Sequence, residues 1–440
     1  MGALKRGTPQ ERDAVAASVQ GGLVGPATVP TRLHRDRAAI FGGSDVTLAE
    51  SKADCTLEEE VNPETGEITR YEVTAKGRRV YRTPQQLRAE RYMLKSVVNR
   101  LFPKSSTAKC ARATIPRQSV RILKTPEYQK AFYSGLRRCS SVWWCPLCAA
   151  KIAERRRAEL VSAVAVAKAM GWSVMLMTCT VPHGLGDDIG GMLDQMLNAW
   201  RKMTDSRKGK DMRKFLGVEG TIRVLEVTDG QNGFHPHFHV LIFAKTDFSP
   251  ESVQAGFLPL WQQACVKAGL PCPSDIHGLK VDDGTWAAKY ASKWGLEDEM
   301  VKGHMKTSKG VNGNSPWDML RDILKSDYKV FEEAKLAKRS EKRFRLYADA
   351  FKGRRQLYWS NGLKAKLAVE EVTDEELVAM EDEHASVLAE LTEDQWRAVL
   401  ATRSEAALLE VAETSRHDLT AVLSGIESMY KDMKRKVTVT

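Results

Sequence analysis

Two β-forming stretches around a tight turn signal constrain this chain more than any other feature. Residues 221–228 (TIRVLEVT) and 234–243 (FHPHFHVLIF) flank Asp229-Gly-Gln-Asn-Gly233, a run rich in turn formers, so an antiparallel hairpin is expected. Three of the nine histidines fall in its second arm, at His235, His237 and His239. Residues two apart on a strand share a face, so His237 and His239 point together while Phe238 points into a core. The apolar run 240–243 (VLIF) marks a strand set centrally in its sheet. An imidazole pair can hold Mn, Zn, Ni or Fe, and with one carboxylate it leaves positions open for phosphate oxygens. Glu226 is the candidate carboxylate. A four-residue loop, 230–233, sets it directly opposite His237; a five-residue loop turns it to the other face. Pro236 makes His235 the weaker ligand. The competing reading is a set of half-buried histidines without metal.

Charge narrows the partner. The 440 residues carry a net charge of +11, but residues 370–427 hold 16 acids and 3 bases. The remainder is therefore strongly basic, which suits a polyanion, most simply nucleic acid; solubility is the bland alternative. No stretch offers 18 uncharged apolar residues, so no membrane span is expected, and residues 1–6 (MGALKR) lack the apolar core of a secretion signal. A cytoplasmic location follows, with the eight cysteines as thiols or metal ligands rather than disulfides. Cys145-Pro-Leu-Cys148 is a knuckle that lets two thiolates share a tetrahedral zinc, and Cys139 and Cys110 can complete the set. Cys55, Cys179, Cys265 and Cys272 read as scattered thiols.

Along the chain, helical patterns run over 85–101, 150–170, 189–202, 250–269, 285–294, 327–352 and the acidic stretch 368–433, and strands over 172–181 and 276–281. In the 285–294 helix, Tyr290 and Lys293 stand three apart and share a face. A phenol near its ordinary pKa of about 10 is a poor nucleophile, and a neighbouring ammonium favours the phenolate. An amphipathic helix with a half-buried tyrosine fits the same spacing. Two basic runs, Lys151 with Arg155–Arg157, and Lys338, Arg339, Lys342, Arg343 and Arg345 followed by Lys352, Arg354 and Arg355, are candidate DNA contacts. Tyr358 and Trp359 suit either base stacking or a core.

Thr178-Cys-Thr-Val-Pro182, His235-Pro-His-Phe-His-Val-Leu241 and Lys289-Tyr-Ala-Ser-Lys293 resemble the three ordered motifs of HUH endonucleases, closest to rolling-circle replication initiators of small bacterial plasmids. Cys145-Pro-Leu-Cys148-Ala-Ala-Lys-Ile152, Arg156-Arg157-Ala-Glu-Leu160 and Lys352-Gly-Arg-Arg-Gln-Leu-Tyr-Trp-Ser-Asn-Gly-Leu363 resemble that family too, over roughly residues 105–365. The resemblance implies an α/β fold whose mainly antiparallel sheet is flanked by helices. It implies a divalent ion, Mn²⁺ or Mg²⁺, on His237 and His239, and structural Zn²⁺ on the cysteines. Tyr290 becomes the nucleophile that nicks one strand at a plasmid origin, at a single-stranded or hairpin site. It stays linked to the 5′-phosphate and leaves a 3′-hydroxyl primer, in the bacterial cytoplasm. One departure is Trp286, where some members carry a glutamate that activates water in the closing cut; Asp283 is the nearest substitute.

The expected division is a mostly disordered or loosely structured arm (1–90), a zinc-binding segment (91–150), the nicking domain (151–300), a basic helical extension (301–367) and an acidic helical tail (368–440). The tail could mask the basic body, mediate self-association, or recruit a host helicase or polymerase. A single-tyrosine transposase or relaxase shares the chemistry, and a non-catalytic zinc-containing DNA-binding regulator is the reading from another class.

Overall fold

The computed structural model describes residues 56–61, 68–73 and 79–80 by backbone alone. It describes residues 83–438 apart from 128, 286, 289–314, 326–330, 381–383 and 415–418. The elements are β1 (Thr56–Val61), β2 (Ile68–Val73), β3 (Arg79–Val80), α1 (Pro84–Leu101), α2 (Ser106–Lys109), β4 (Val120–Lys124), β5 (Ala131–Ser134), α3 (Pro146–Ala169), β6 (Ser173–Thr180), α4 (Ile189–Asp205), α5 (Arg207–Phe215), β7 (Val218–Gly230), β8 (Gly233–Ala244), α6 (Pro250–Lys267) and β9 (Leu279–Asp282). Then come α7 (Pro316–Lys325), α8 (Phe331–Phe351), β10 (Leu357–Trp359), α9 (Leu363–Lys366), α10 (Asp374–Ala379), β11 (Ser386–Leu391), α11 (Glu393–Ala401), α12 (Glu405–Thr414) and α13 (Leu419–Thr438). The fold is α/β, with antiparallel sheets.

The central sheet runs β10-β7-β8-β6-β9, every neighbour antiparallel. The histidine strand β8 is third of five, as its apolar second half requires. The turn leaves Gln231 and Asn232 between the closing pair Gly230 and Gly233, which gives the register of the four-residue loop and sets Glu226 opposite His237. Gly233 takes φ +93°, where a side chain is strained, and an added Cβ would lie 2.9 Å from the Gly184 carbonyl oxygen.

Two-residue alternation splits this sheet into two cores. One face sends Ile222, Val224, Leu241, Phe243, Val174 and Leu176 against Leu160, Ala163, Val164 and Ala167 of α3, with Leu363, Leu367 and Ala287. The other sends Leu225, Val227, Phe238, Val240, Ile242, Met175 and Met177 against α4 and α6, where Trp261 and Leu193 are fully buried. His237, His239 and Glu226 lie on the α3 face, beyond the end of its apolar packing.

A smaller sheet, β11-β4-β5, lies outside the central one. Its edge strand β11 falls in the stretch 368–433 that reads as helical throughout; Val387, Leu388 and Leu391 fit either period, and pairing with β4 selects the strand. This acidic region also closes on the N-terminal half. Asp374 pairs with Arg156 at 2.8 Å, Glu413 pairs with Arg88, and the Tyr133 hydroxyl donates to the Glu405 carbonyl at 2.9 Å. Within the stretch expected as an arm, β1, β2 and β3 form a third antiparallel sheet, which composition alone does not signal. Among the described residues no helix is long and apolar enough to cross a membrane.

Candidate catalytic and zinc centres

The hairpin builds the first centre. Glu226 Oε2 stands 3.5 Å from His237 Nε2 and 3.6 Å from His239 Nε2. These atoms lie close to the spacing of adjacent ligands around an ion bound at about 2.1 Å, which is about 3.0–3.4 Å. The far side of each ring is held. His237 Nδ1 donates to the His235 carbonyl at 3.2 Å, which leaves the Nε2 lone pair facing Glu226. His239 Nδ1 meets the Thr178 hydroxyl of β6 at 3.0 Å, the same orientation supplied by the neighbouring strand. The side chains of His237, His239 and Glu226 are 12%, 19% and 22% exposed, so the centre is fixed by packing yet open on one side. Two nitrogens and one carboxylate oxygen fit a divalent ion with free positions.

His235 lies along the same face but outside this group. Its ring stacks on His183 at 4.5 Å and 9°, and burial, helped by His237 and His183, pushes its pKa down to about 4. His183 is a neighbour that sequence reading gave no role; only its place three residues after β6 and beside a proline hints at it.

The tyrosine helix is described only at its start. Backbone helix begins at Gly284, and Asp283 Oδ1 accepts from the Thr285 amide at 2.8 Å, so Asp283 caps this helix. Ala287 is buried in the core on the histidine face. Tyr290 and Lys293, and Trp286, lie outside the described residues.

The second centre gathers Cys110, Cys139, Cys145 and Cys148. Cys110 and Cys148 sulfurs are 3.4 Å apart, Cys145 and Cys110 3.7 Å, and Cys139 and Cys148 3.8 Å. Zinc held at about 2.3 Å by four thiolates sets tetrahedral edges near 3.8 Å, so the set fits. Cys145 is the N-cap of α3 and Cys148 lies in its first turn, where the helix dipole favours thiolate. Ala111 and Ser140, each the residue after a cysteine, take left-handed φ of 54° and 52°; such strain persists where the surroundings over-determine the loop. The four thiols share one pocket: neighbouring thiols hold Cys139 well below the ordinary range, while burial pushes Cys145 up. Lys95, 3% exposed, stands near this cluster; burial lowers its pKa and the cysteines favour its charge. Its ammonium donates to the Thr107 carbonyl at 2.6 Å and to the Asn99 side chain. A lysine inside the apolar stripe of α1 (Leu94, Val97, Val98, Leu101) was the available sequence signal for it. Leu377 and Val378 of α10 complete the cover. Among the other thiols, Cys179 and Cys265 are buried, burial pushing the Cys179 thiol well up and Cys265 up to about 12; Cys272 is exposed, and Cys55 lies outside the described residues.

Part of each basic run is engaged inside the molecule, while Arg155, Lys338, Arg339, Lys342, Lys352 and Arg355 are exposed. Arg156 binds Glu159, Asp374 and the Val372 carbonyl; Arg343 grips Asp229 over the Phe234 ring; Arg354 pairs with Asp194 at 2.7 Å. Lys151 donates to the Val378 and Met380 carbonyls. Trp359 packs against the histidine-face core, whereas Tyr358 stays exposed, 5.4 Å from the Arg223 guanidinium.

Three comparisons bear on these centres. Residues 134–407 match the family described as "Replication protein", a span that contains every residue of the first centre and all the cysteines of the second except Cys110. "Protein rep" of Streptomyces lividans is 29% identical over 335 residues, 60% of this chain and 73% of that protein. "Neomycin resistance protein" of Streptomyces cyanogenus is 26% identical over 135 residues, 24% of this chain and 30% of that protein. No solved structure matches.

Proposed function

The chain belongs to the replication-protein family, and from that premise we propose that it initiates plasmid rolling-circle replication by nicking one DNA strand. The observation that carries this reading is the convergence of Glu226, His237 and His239 on one open position of the central sheet. Those three residues would hold a divalent ion, Mn²⁺ or Mg²⁺. Bound there, the ion supplies Lewis-acid polarisation of the scissile phosphate.

The chain's own residues do the rest. Thr178 and the His235 carbonyl keep both Nε2 atoms aimed at the bound phosphate's side of the sheet. The Tyr290 oxygen attacks phosphorus, the bond to the 3′ oxygen breaks, and that oxygen takes a proton to become the primer hydroxyl. The 5′-phosphate remains on Tyr290. Lys293, one helical turn on in sequence, favours the phenolate. One phosphodiester is exchanged for another of similar energy, so no nucleotide is consumed and the step reverses. The burial of Ala287 on the histidine face supports this assignment, because the chain enters the tyrosine segment from that side. The cysteine set would hold Zn²⁺ as a structural ion: it offers four thiols, three of them buried, and leaves no position open, unlike the hairpin centre.

Tyr290→Phe removes one oxygen and little volume, so the fold survives. On supercoiled DNA with Mn²⁺ it abolishes both the nick and the covalent protein–DNA adduct on a denaturing gel. An adduct formed by Tyr290→Phe would remove this assignment. Nicking by the unaltered protein without any adduct would point instead to direct hydrolysis.

A further inference from the structure

Helix α5 carries the sequence RKGKDMRKF, five bases and one acid in nine residues. Arg207, Lys210 and Lys214 follow at spacings of three and four and so form one row, with Lys208 beside it. Arg207, Lys208, Lys210 and Lys214 are all exposed. Among the described residues Lys208, Lys210 and Lys214 have no acidic partner, and the contact of Arg207 with Asp211 is long, 3.9 Å, between two solvated side chains. This contrasts with Arg156, Arg343 and Arg354, whose charges the fold consumes.

The helix is held rigidly from beneath. The Ser206 hydroxyl caps it, accepting from the Gly209 amide at 2.9 Å. Gly209 seats against α4, where a Cβ would fall 2.0 Å from the Met203 carbonyl oxygen. Met212 presses on Gly256 of α6, and Arg213 turns inward to donate to the Thr204 carbonyl at 2.8 Å. The apolar side of α5 is therefore spent on the protein. That leaves no apolar face to enter a lipid layer, which an interfacial helix needs. Phe215 at its end is 68% exposed, but it is a single ring beside Phe248.

The position is remote from the hairpin centre. α5 leads through Leu216 and Gly217 into Val218, and Glu226 comes eight residues later on the same strand, about 26 Å away at about 3.3 Å per residue. α5 also packs with α4 and α6, on the sheet face opposite Glu226.

We propose that α5 is a duplex-docking element that contacts the phosphates of DNA flanking the nick, outside the metal centre itself. It rests on the DNA-nicking reading for the identity of its ligand. The contacts are to the backbone, so they add affinity without reading sequence.

The test uses the full chain and two mixed-sequence probes, a 30-base-pair duplex and a 12-nucleotide single strand, followed by fluorescence anisotropy across salt. Lys208→Glu with Lys210→Glu and Lys214→Glu should weaken duplex binding by about 10- to 30-fold and lower the slope of log K against log salt by about two to three. The three-glutamine version should give a smaller loss, and three arginines should restore affinity. Single-strand binding should change by less than about threefold. Melting temperature checks the fold, since all three positions are on the surface. Unchanged duplex affinity and slope in the glutamate variant overturn the proposal. So does a variant that keeps duplex affinity but loses binding to vesicles of phosphatidylglycerol and phosphatidylcholine, which would assign α5 to a membrane. If the unaltered protein binds neither probe, the nicking reading itself falls, a result distinct from either.

Discussion

The hairpin centre and the cysteine centre gather metal-type ligands by opposite constructions. Glu226, His237 and His239 come from 14 consecutive residues on two paired strands, and their side chains are 12–22% exposed. The four cysteines come from residues 110–148, and three of them are buried, packed with Ile152 of α3 and Leu377 and Val378 of α10. One centre is rigid because the sheet beneath it is rigid, so it can leave coordination positions open. The other must hold its own surroundings together, and its ligand set is closed. An open site suits substrate; a closed one suits stability.

The largest expected effect breaks the hairpin centre alone. His237→Ala or His239→Ala should cut nicking by about 10³-fold or more, on the scale of lost metal catalysis, while the melting temperature and duplex affinity stay close to those of the unaltered protein. Glu226→Ala should do the same. Normal nicking in Glu226→Ala would move the third ligand to another group, with His235 next on that face.

A second effect should fall on stability instead. Natively purified protein should carry zinc by metal analysis, and Cys148→Ser should abolish that content and lower the melting temperature by about 10 °C or more. Purified unaltered protein that contains no zinc and melts identically with a chelator would erase the contrast between the two centres.

The smallest effect sharpens it. Thr178→Val removes the hydroxyl that holds His239 Nδ1 and keeps the shape of the side chain. Metal affinity in the nicking reaction should fall by about 10- to 100-fold and recover at higher Mn²⁺, as expected for a group that orients a ligand without touching the ion. Loss of nicking that no Mn²⁺ concentration restores would make Thr178 something other than an orienting residue.

Much of the hairpin centre was legible because its information is local. A two-residue period and a turn of four residues suffice to place Glu226 opposite His237, since a slip of one would reverse every side chain. The CxxC knuckle was legible for the same reason, whereas its upstream partners, Cys139 and Cys110, were only candidates that the family resemblance supported. The basic runs were legible only in part, because charge in a sequence does not say which acids will meet it. Arg156 and Arg343 look like solvated DNA contacts until Asp374 and Asp229, 218 and 114 residues away, close on them. The tail shows the same limit. Ser386–Leu391 has no strong period of its own, and its strand exists because β4 offers an edge to pair with.

What the sequence determined by itself was therefore the chemistry: two imidazoles on one face of a strand with a carboxylate across a hairpin, four thiols near one knuckle, and a basic body with an acidic end; the choice between two hairpin registers came from the folded sheet. Tertiary structure decided which charges remain available and what surrounds each centre. It put Thr178 behind His239, Lys95 beside the cysteines, and Leu377 and Val378 over them. The division has one physical cause. Strand alternation and turn geometry act over a few residues and can be read in order, whereas burial and ion pairing depend on which distant segments the folded chain brings into contact.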